Sequence, residues 1–323
     1  MKLSGLLRAM LLALALAVPA AAPAQGWPER PIRLVVSFPP GGVHDTLARL
    51  IGPKLAEALG QPIVIENRAG AGGNIAADAV VKSAPDGYTF LVGSEALATN
   101  KFIYRTLGFD PDQDLAPVTK LADFPVALVA HPSLPASSVA ELVTLARAKP
   151  REINFGSAGI GTMGHLAGEF FSSLAGVEMT HVPYKGGALA LQDLTAGRIQ
   201  VMLISVSLSA PQVRQARLKA LAVAGKRRAQ TLAEVPTTAE AGYPDFEALL
   251  FSSLHAPAKT PPAIVNRVSV ELGKLLGSPE VQKRMAELGA MPAASTAEEF
   301  GRELRAISAR WGRLIRDRNI RLD

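Results

Sequence analysis

Two glycine-rich turns, each lying between a strand-like run and a helix-like run, constrain the fold of this chain more than anything else in it. The first is Phe38-Pro39-Pro40-Gly41-Gly42, after the apolar run Arg33 to Phe38. The second is Ser157-Ala158-Gly159-Ile160-Gly161-Thr162, after Ile153 to Phe155. A short apolar run that ends at a turn and feeds a helix is the pattern of a buried parallel strand. The first amides of the helix that follows have no partner inside it, and the helix dipole makes that end positive. Such a turn can hold an anion, and it can equally be an ordinary strand-to-helix junction.

The rest of the chain repeats the alternation. Leu47, Leu50, Ile51, Leu55 and Leu59 mark one helical face, which Gly60 should end and Pro53 should kink or divide. Strands follow at Pro62 to Ile65 and at Tyr88 to Val92, with a glycine-rich turn from Asn67 to Gly73 and a helix near Ile75 to Ser83 between them. Pro111 to Pro117 reads as a connecting loop. Val126 to Ala130 restarts the strands, after a first crossing between domains near Asp123 to Pro125. Ser138 can cap a helix to Ala148, with Glu141 as its capping-box partner. Further helices are expected at Met163 to Leu174 and Ala188 to Ala196, and strands at Ile199 to Ile204 and Leu218 to Val223. A return crossing falls near Phe246 to Ala256. Three helices then follow, Pro262 to Leu276, Pro279 to Leu288 and Ala297 to Arg316. Alternation of this kind predicts open, mostly parallel sheets with helices on both faces.

The N-terminus sets the compartment. Lys2 and Arg8 precede an apolar run from Met10 to Val18, and Ala22-Pro23-Ala24 has the form of a cleavage site. The run is shorter than the roughly 20 apolar residues of a membrane span, so residues 1–24 read as a secretory signal peptide. Removing it takes away two basic residues and lowers the net charge from +6 to +4 (32 basic, 28 acidic). The one basic run, Lys226-Arg227-Arg228, lacks the aromatic neighbours of a nucleic-acid surface. With no cysteine, disulfides and thiolate chemistry are excluded. About 300 remaining residues exceed one ordinary core and predict two domains.

Enzyme signatures fail residue by residue. Ser157 and Ser94 lack the glycine two positions earlier that a nucleophile elbow needs. Gly161-Thr162 lacks the lysine of a phosphate-binding loop, and Gly70-Ala71-Gly72-Gly73 matches a dinucleotide fingerprint only loosely. The five histidines have no metal-ligand spacing. No catalytic residue, cofactor or metal is therefore expected. The candidate ligand contacts lie at the two turns and at strand ends. Asp45, in the first helical turn, caps that helix or holds the loop by accepting amide hydrogens, and capping is the default because a carboxylate aimed inward would repel an anion. Thr162 is placed as an N-cap, and the hydroxyls of Ser157 and Thr162 can reach a carboxylate. His165 either donates to a ligand or ties down its own loop. Glu95, at the end of a strand, either meets a ligand ammonium or hydroxyl or is a solvent-facing loop acid.

Taken in order, these segments resemble the Bug family, the extracytoplasmic solute-binding receptors of tripartite tricarboxylate transporters. The matching segments are Trp27-Pro28 with Pro31-Ile32, Phe38 to Gly42 with Asp45 and Ala48-Arg49, and Glu66-Asn67-Arg68 with Gly70 to Gly73. Ala84 to Tyr88, Asn154 to Ser157 with Gly161-Thr162, and His165 to Glu169 follow. His181 to Gly187, Ala220 to Val223, and Val235-Pro236-Thr237 with Glu240-Ala241-Gly242 complete the match. The resemblance implies a type II periplasmic-binding-protein fold, with two doubly wound α/β domains joined by a hinge. Their expected extents are residues 25–124 with 248–323, and residues 125–247.

It also implies capture of a small carboxylate through the two loops. That carries onto Pro40, Gly41, Gly42 and Asp45 in the first loop and onto Ser157, Gly159, Gly161, Thr162 and His165 in the second; Phe38, His44, Ser94, Glu95 and Ser205 complete the candidate ligand contacts. Gln200 and Ile204 stand where many relatives have acids, which argues against an amino-acid ligand. The expected protein is a periplasmic monomer that docks onto a membrane permease and binds no nucleic acid. The two other readings are a secreted hydrolase or isomerase with His44 or His165 as base, and a sensor subunit that docks onto a kinase.

Overall fold

The structure, a computed structural model, describes residues 26–322. The signal-peptide segment lies outside the described residues. No helix among those described is long and apolar enough to cross a membrane.

One half begins with strand β1 (Ile32–Val36), helix α1 (Val43–Leu59), β2 (Ile63–Asn67), α2 (Asn74–Val81), β3 (Thr89–Ser94) and α3 (Ala96–Ile103). A short helix α4 (Pro111–Asp114) leads into β4 (Leu115–Ala130). The other half holds α5 (Val139–Ala148), β5 (Asn154–Ser157), α6 (Met163–Ala175), β6 (Thr180–Pro183), α7 (Gly187–Thr195), β7 (Val201–Ser205), α8 (Val206–Arg214) and β8 (Lys219–Val223). The chain returns along β9 (Leu249–Pro257) and ends with α9 (Pro262–Gly277), α10 (Pro279–Glu287), β10 (Met291–Pro292) and α11 (Ala297–Asp317).

The strands form one curled path, β2-β1-β3-β9-β4-β7-β5-β6, with β8 and β10 also pairing with β4. The arms are parallel: β1 with β2 and β3, and β5 with β6 and β7. The middle is antiparallel, because every pair made by β4 and β9 runs that way. The sheet is therefore mixed rather than mostly parallel. β4 spans 16 residues. Leu115 to Pro125 pair with β9, and Val126 to Ala130 pair with β7 and β8. The loop expected from Pro111 to Pro117 is thus α4 followed by the start of β4. Pro117, which cannot donate to a ladder, sits where the register with β9 slips between Pro117 and Thr119, a second slip lying between Lys120 and Ala122.

Separate cores support the two halves. Ile32, Leu34 and Val36 of β1 pack with Leu47, Ile51 and Leu55 of α1. Leu128, Phe155, Leu166, Phe171 and Leu203 form the other core, to which α11 contributes Trp311 and Ile315. α1 keeps the predicted buried face and ends at Gly60, which has φ +75°. It runs unbroken through the exposed Pro53, so the expected division does not occur, and the proline costs one main-chain hydrogen bond. Ser138 accepts the Glu141 amide as a cap at 3.2 Å, while the Glu141 carboxylate turns to the amide of Ser137 at 2.6 Å.

Candidate functional site

The first loop joins β1 to α1. Gly41 has φ +81°, and Gly42 caps α1 without a side-chain hydrogen bond. The first bond of the helix is Thr46 N–H to Gly42 O, at 2.9 Å. The amides of Val43, His44 and Asp45 therefore have no partner within the helix. Asp45 turns back into the loop. It accepts the Gly41 amide at 2.9 Å, Arg49 Nε at 3.0 Å and Asn67 Nδ2 at 2.9 Å. The hydrogen bond from Arg49 is the main cause that draws its carboxyl down to about 2, helped by Gly41 and Asn67. His44 lies stacked on Phe38, with ring centres 4.1 Å apart, and its Nδ1 is 2.8 Å from Ser252 Oγ. Burial lowers its pKa to about 4, so it is neutral at pH 7.

The second loop repeats the plan between β5 and α6. Gly159 and Gly161 have φ +139° and +77°. The first bond of the helix is Leu166 N–H to Thr162 O at 3.0 Å, which leaves the amides of Met163, Gly164 and His165 without helical partners. His165 Nδ1 accepts the Gly161 amide at 3.1 Å, as Asp45 does for Gly41. That bond fixes Nδ1 as unprotonated. His165 stacks on His181 at 3.7 Å. Burial, and for His165 also its neighbour His181, pull these two rings down to about 3 and about 4. Thr162 occupies the N-cap position but makes no cap bond, since its hydroxyl donates to Gly159 O at 2.8 Å. Ser157 is fully buried; its hydroxyl accepts the Gly159 amide at 3.1 Å and lies 2.7 Å from His181 Nε2.

Both loops open onto one cleft of about 460 Å³. Phe38, Gly41, Gly42 and His44 line it from the first loop, and Gly161 and Thr162 from the second. Ser94 and Glu95 reach it from the end of β3, and Ser205 from the end of β7. Pro40, Asp45, Ser157, Gly159 and His165 are not part of the lining. The hydrogen bonds above show Asp45, Ser157 and His165 holding the loops from behind.

Glu95 is 7 % exposed, so it is not a solvent-facing loop acid. Its Oε2 accepts the Phe251 amide at 3.2 Å, and burial raises its pKa to about 7. It also borders a second cavity, of about 340 Å³, which contains Lys120, Glu247, Glu303 and Arg310. Gln200 lies outside the cleft, where its side-chain oxygen accepts the Asn154 amide at 2.9 Å. Sequence reading missed Thr99, Asn100 and Ile103 on α3 and Leu208 on α8, all of which line the cleft. The only local signal for α3 was the helix-forming run Ala96-Leu97-Ala98 after Glu95.

Residues 47–320 match the family described as the tripartite tricarboxylate transporter family receptor, TctC. BugT of Bordetella pertussis is 35% identical over 301 residues, covering 93% of this chain and 92% of BugT. Among solved structures, R. palustris Rpa4515 with adipate is 40% identical with a TM-score of 0.82, covering 92% of this chain and 100% of that one. MatC (Rpa3494) from Rhodopseudomonas palustris with bound malate is 32% identical with a TM-score of 0.76, covering 90% of this chain and 100% of that one. The family match, the similarity along nearly the whole chain and the shared fold lead to one conclusion: this chain belongs to the TctC family of tripartite tricarboxylate transporter receptors, which are solute-binding proteins rather than enzymes.

Proposed function

We propose that this chain is a periplasmic receptor that captures a small carboxylate between its two glycine loops and delivers it to a membrane permease. The observation that carries the reading is the pair of uncapped helix N-termini, α1 and α6, whose loops line a single cleft. Free amides at a helix start bind carboxylates without a positive side chain. The adipate and malate held by similar proteins support the same ligand class. Candidate contacts are the amides around Gly41 to His44 and Gly161 to Gly164, with Glu95 and Ser205 towards the far end. Residues 25–124 with 248–323 form one domain and residues 125–247 the other. Ligand joins the two loops and shifts the population towards the closed form, which docks on the permease as a monomer after residues 1–24 are removed.

Thermal unfolding with a ligand panel tests this. Adipate or malate at a hundred times its Kd stabilises the folded chain by about 2.7 kcal/mol and raises Tm by several degrees. A neutral sugar leaves Tm unchanged. A panel in which only non-carboxylates raise Tm sinks the reading.

A further inference from the structure

We propose that Glu95 is the specificity-determining residue for the far end of a dicarboxylate: it takes up a proton as ligand binds and, as a neutral acid, donates its O–H to the second carboxylate. The proposal rests on the carboxylate-receptor reading above. Its starting point is the charge of the cleft. Among the described residues, no lysine or arginine lines it. One carboxylate is provided for by the amides at the starts of α1 and α6, but the other needs a donor in a wall that is mostly apolar.

Two of the side chains that could donate are committed, whereas Ser94 and Ser205 accept, from the Ala96 amide at 3.2 Å and from Ser207 Oγ at 3.1 Å, and keep their own hydrogens for a ligand. Asn100 Nδ2 spends its hydrogens on Gly72 O at 3.0 Å and Asn74 Oδ1 at 2.7 Å. Thr99 donates to Ala96 O at 3.3 Å. Glu95 faces the same cleft with its carboxyl held only by main-chain amides, its own and that of Phe251. Left ionised, it would add a third negative charge to the two of the ligand in a site without cations. Like charges that close in a buried site are strongly unfavourable unless a proton neutralises one member.

The charged groups around Glu95 do not supply the missing charge. His44 on α1 is neutral at pH 7. Lys120 on β4 is held by Asp123 at 2.7 Å and Glu303 of α11 at 2.5 Å. Arg310 of α11 faces Glu247, ahead of β9, at 3.9 Å. Burial outweighs the two amides and sets Glu95 to titrate at about 7, so a single solvent proton separates its two forms near neutral pH. The balance is one proton from solvent onto the Glu95 carboxylate, with no other bond made or broken.

Below pH 7 the free protein already carries the proton, and binding takes up none. Above it, binding must draw one from solvent, and affinity falls by about tenfold per pH unit. The test is calorimetry of adipate binding to the mature chain at pH 6 and pH 8, in buffers of different ionisation enthalpy, for the wild type and Glu95→Gln. The wild type should bind roughly tenfold more weakly at pH 8, with uptake there approaching one proton. Glu95→Gln, an isostere of the neutral acid, should show neither the pH dependence nor the uptake.

Adipate binding by the wild type that is independent of pH, or that strengthens as pH rises, overturns the assignment while the receptor reading stands. So does a Glu95→Gln protein that keeps the tenfold dependence. The proton uptake of the wild type decides the matter even if the variant fails to fold. Failure of every carboxylate to bind the folded wild type overturns both readings.

Discussion

The first loop ties its glycine amide to an aspartate, and the second ties the equivalent amide to a histidine. In each, the residue four positions after the glycine accepts its N–H, at 2.9 Å for Asp45 and 3.1 Å for His165. Asp45 is ionised and braced by Arg49 and Asn67; His165 is neutral and braced by the ring of His181. What the position needs is therefore an acceptor that holds the loop, and charge is optional. The loops also differ in crowding. A Cβ on Gly41 would meet no atom within 4 Å, whereas one on Gly161 would lie 2.8 Å from Ile103 Cδ1.

The largest difference should appear when each glycine is replaced. Both substitutions force an alanine into the left-handed region, at a cost of about 1–2 kcal/mol. Gly161→Ala must also displace Ile103 at the cleft wall. It should weaken adipate binding at least tenfold and lower Tm further than Gly41→Ala. Equal losses in calorimetry and melting would show that the two loops are interchangeable.

Acid titration separates the loops next. The folded pKa of His165, about 3, lies below the ordinary 6.5, so its contribution is present above pH 6.5 and is lost as pH falls towards 3. Asp45, at about 2 against 3.8, loses its contribution only below about pH 4. His165→Asn keeps an acceptor but removes the titration, so unfolding free energy measured against denaturant should fall less steeply between pH 6.5 and 4. Asp45→Asn should cost about 1–2 kcal/mol at pH 7, with the deficit closing as pH falls through 4 towards 2. A deficit that does not close would mean that packing, and not charge, makes Asp45 useful.

The smallest effect should come from Ser252→Ala. It removes the partner of His44 Nδ1 and leaves a buried ring nitrogen unsatisfied. A loss of about 1 kcal/mol in melting or denaturant experiments is expected, with adipate affinity changed less than threefold.

The loops and the alternation of strand and helix were legible because they are local. Glycines between an apolar run and an amphipathic one show themselves without tertiary information, and so did Gly60 as a helix stop and Ser138 as a cap. The middle of the fold was not. Pro117 argued against a strand, and only the long partner β9 and the register slips show why it is tolerated. α8 went unread as well, and Pro211 inside it does not break it. The cleft wall was hidden for another reason. Ile103 and Asn100 are unremarkable on α3 and become lining only when α3 meets the loop of the other half. Burial of Glu95 depends on the same assembly, and no periodicity around Ser94-Glu95 announces it.

One consequence of a cleft lined by backbone amides concerns the speed and selectivity of capture. A ring of lysines would attract every anion over a Debye length of about 8 Å, and inorganic phosphate and chloride would queue with the solute. Amides act at contact distance, and their partial charges neither titrate nor need a counterion. Encounter with the solute should accordingly feel only the diffuse field of the whole chain, leaving the shape of the cleft and Glu95 to discriminate among anions.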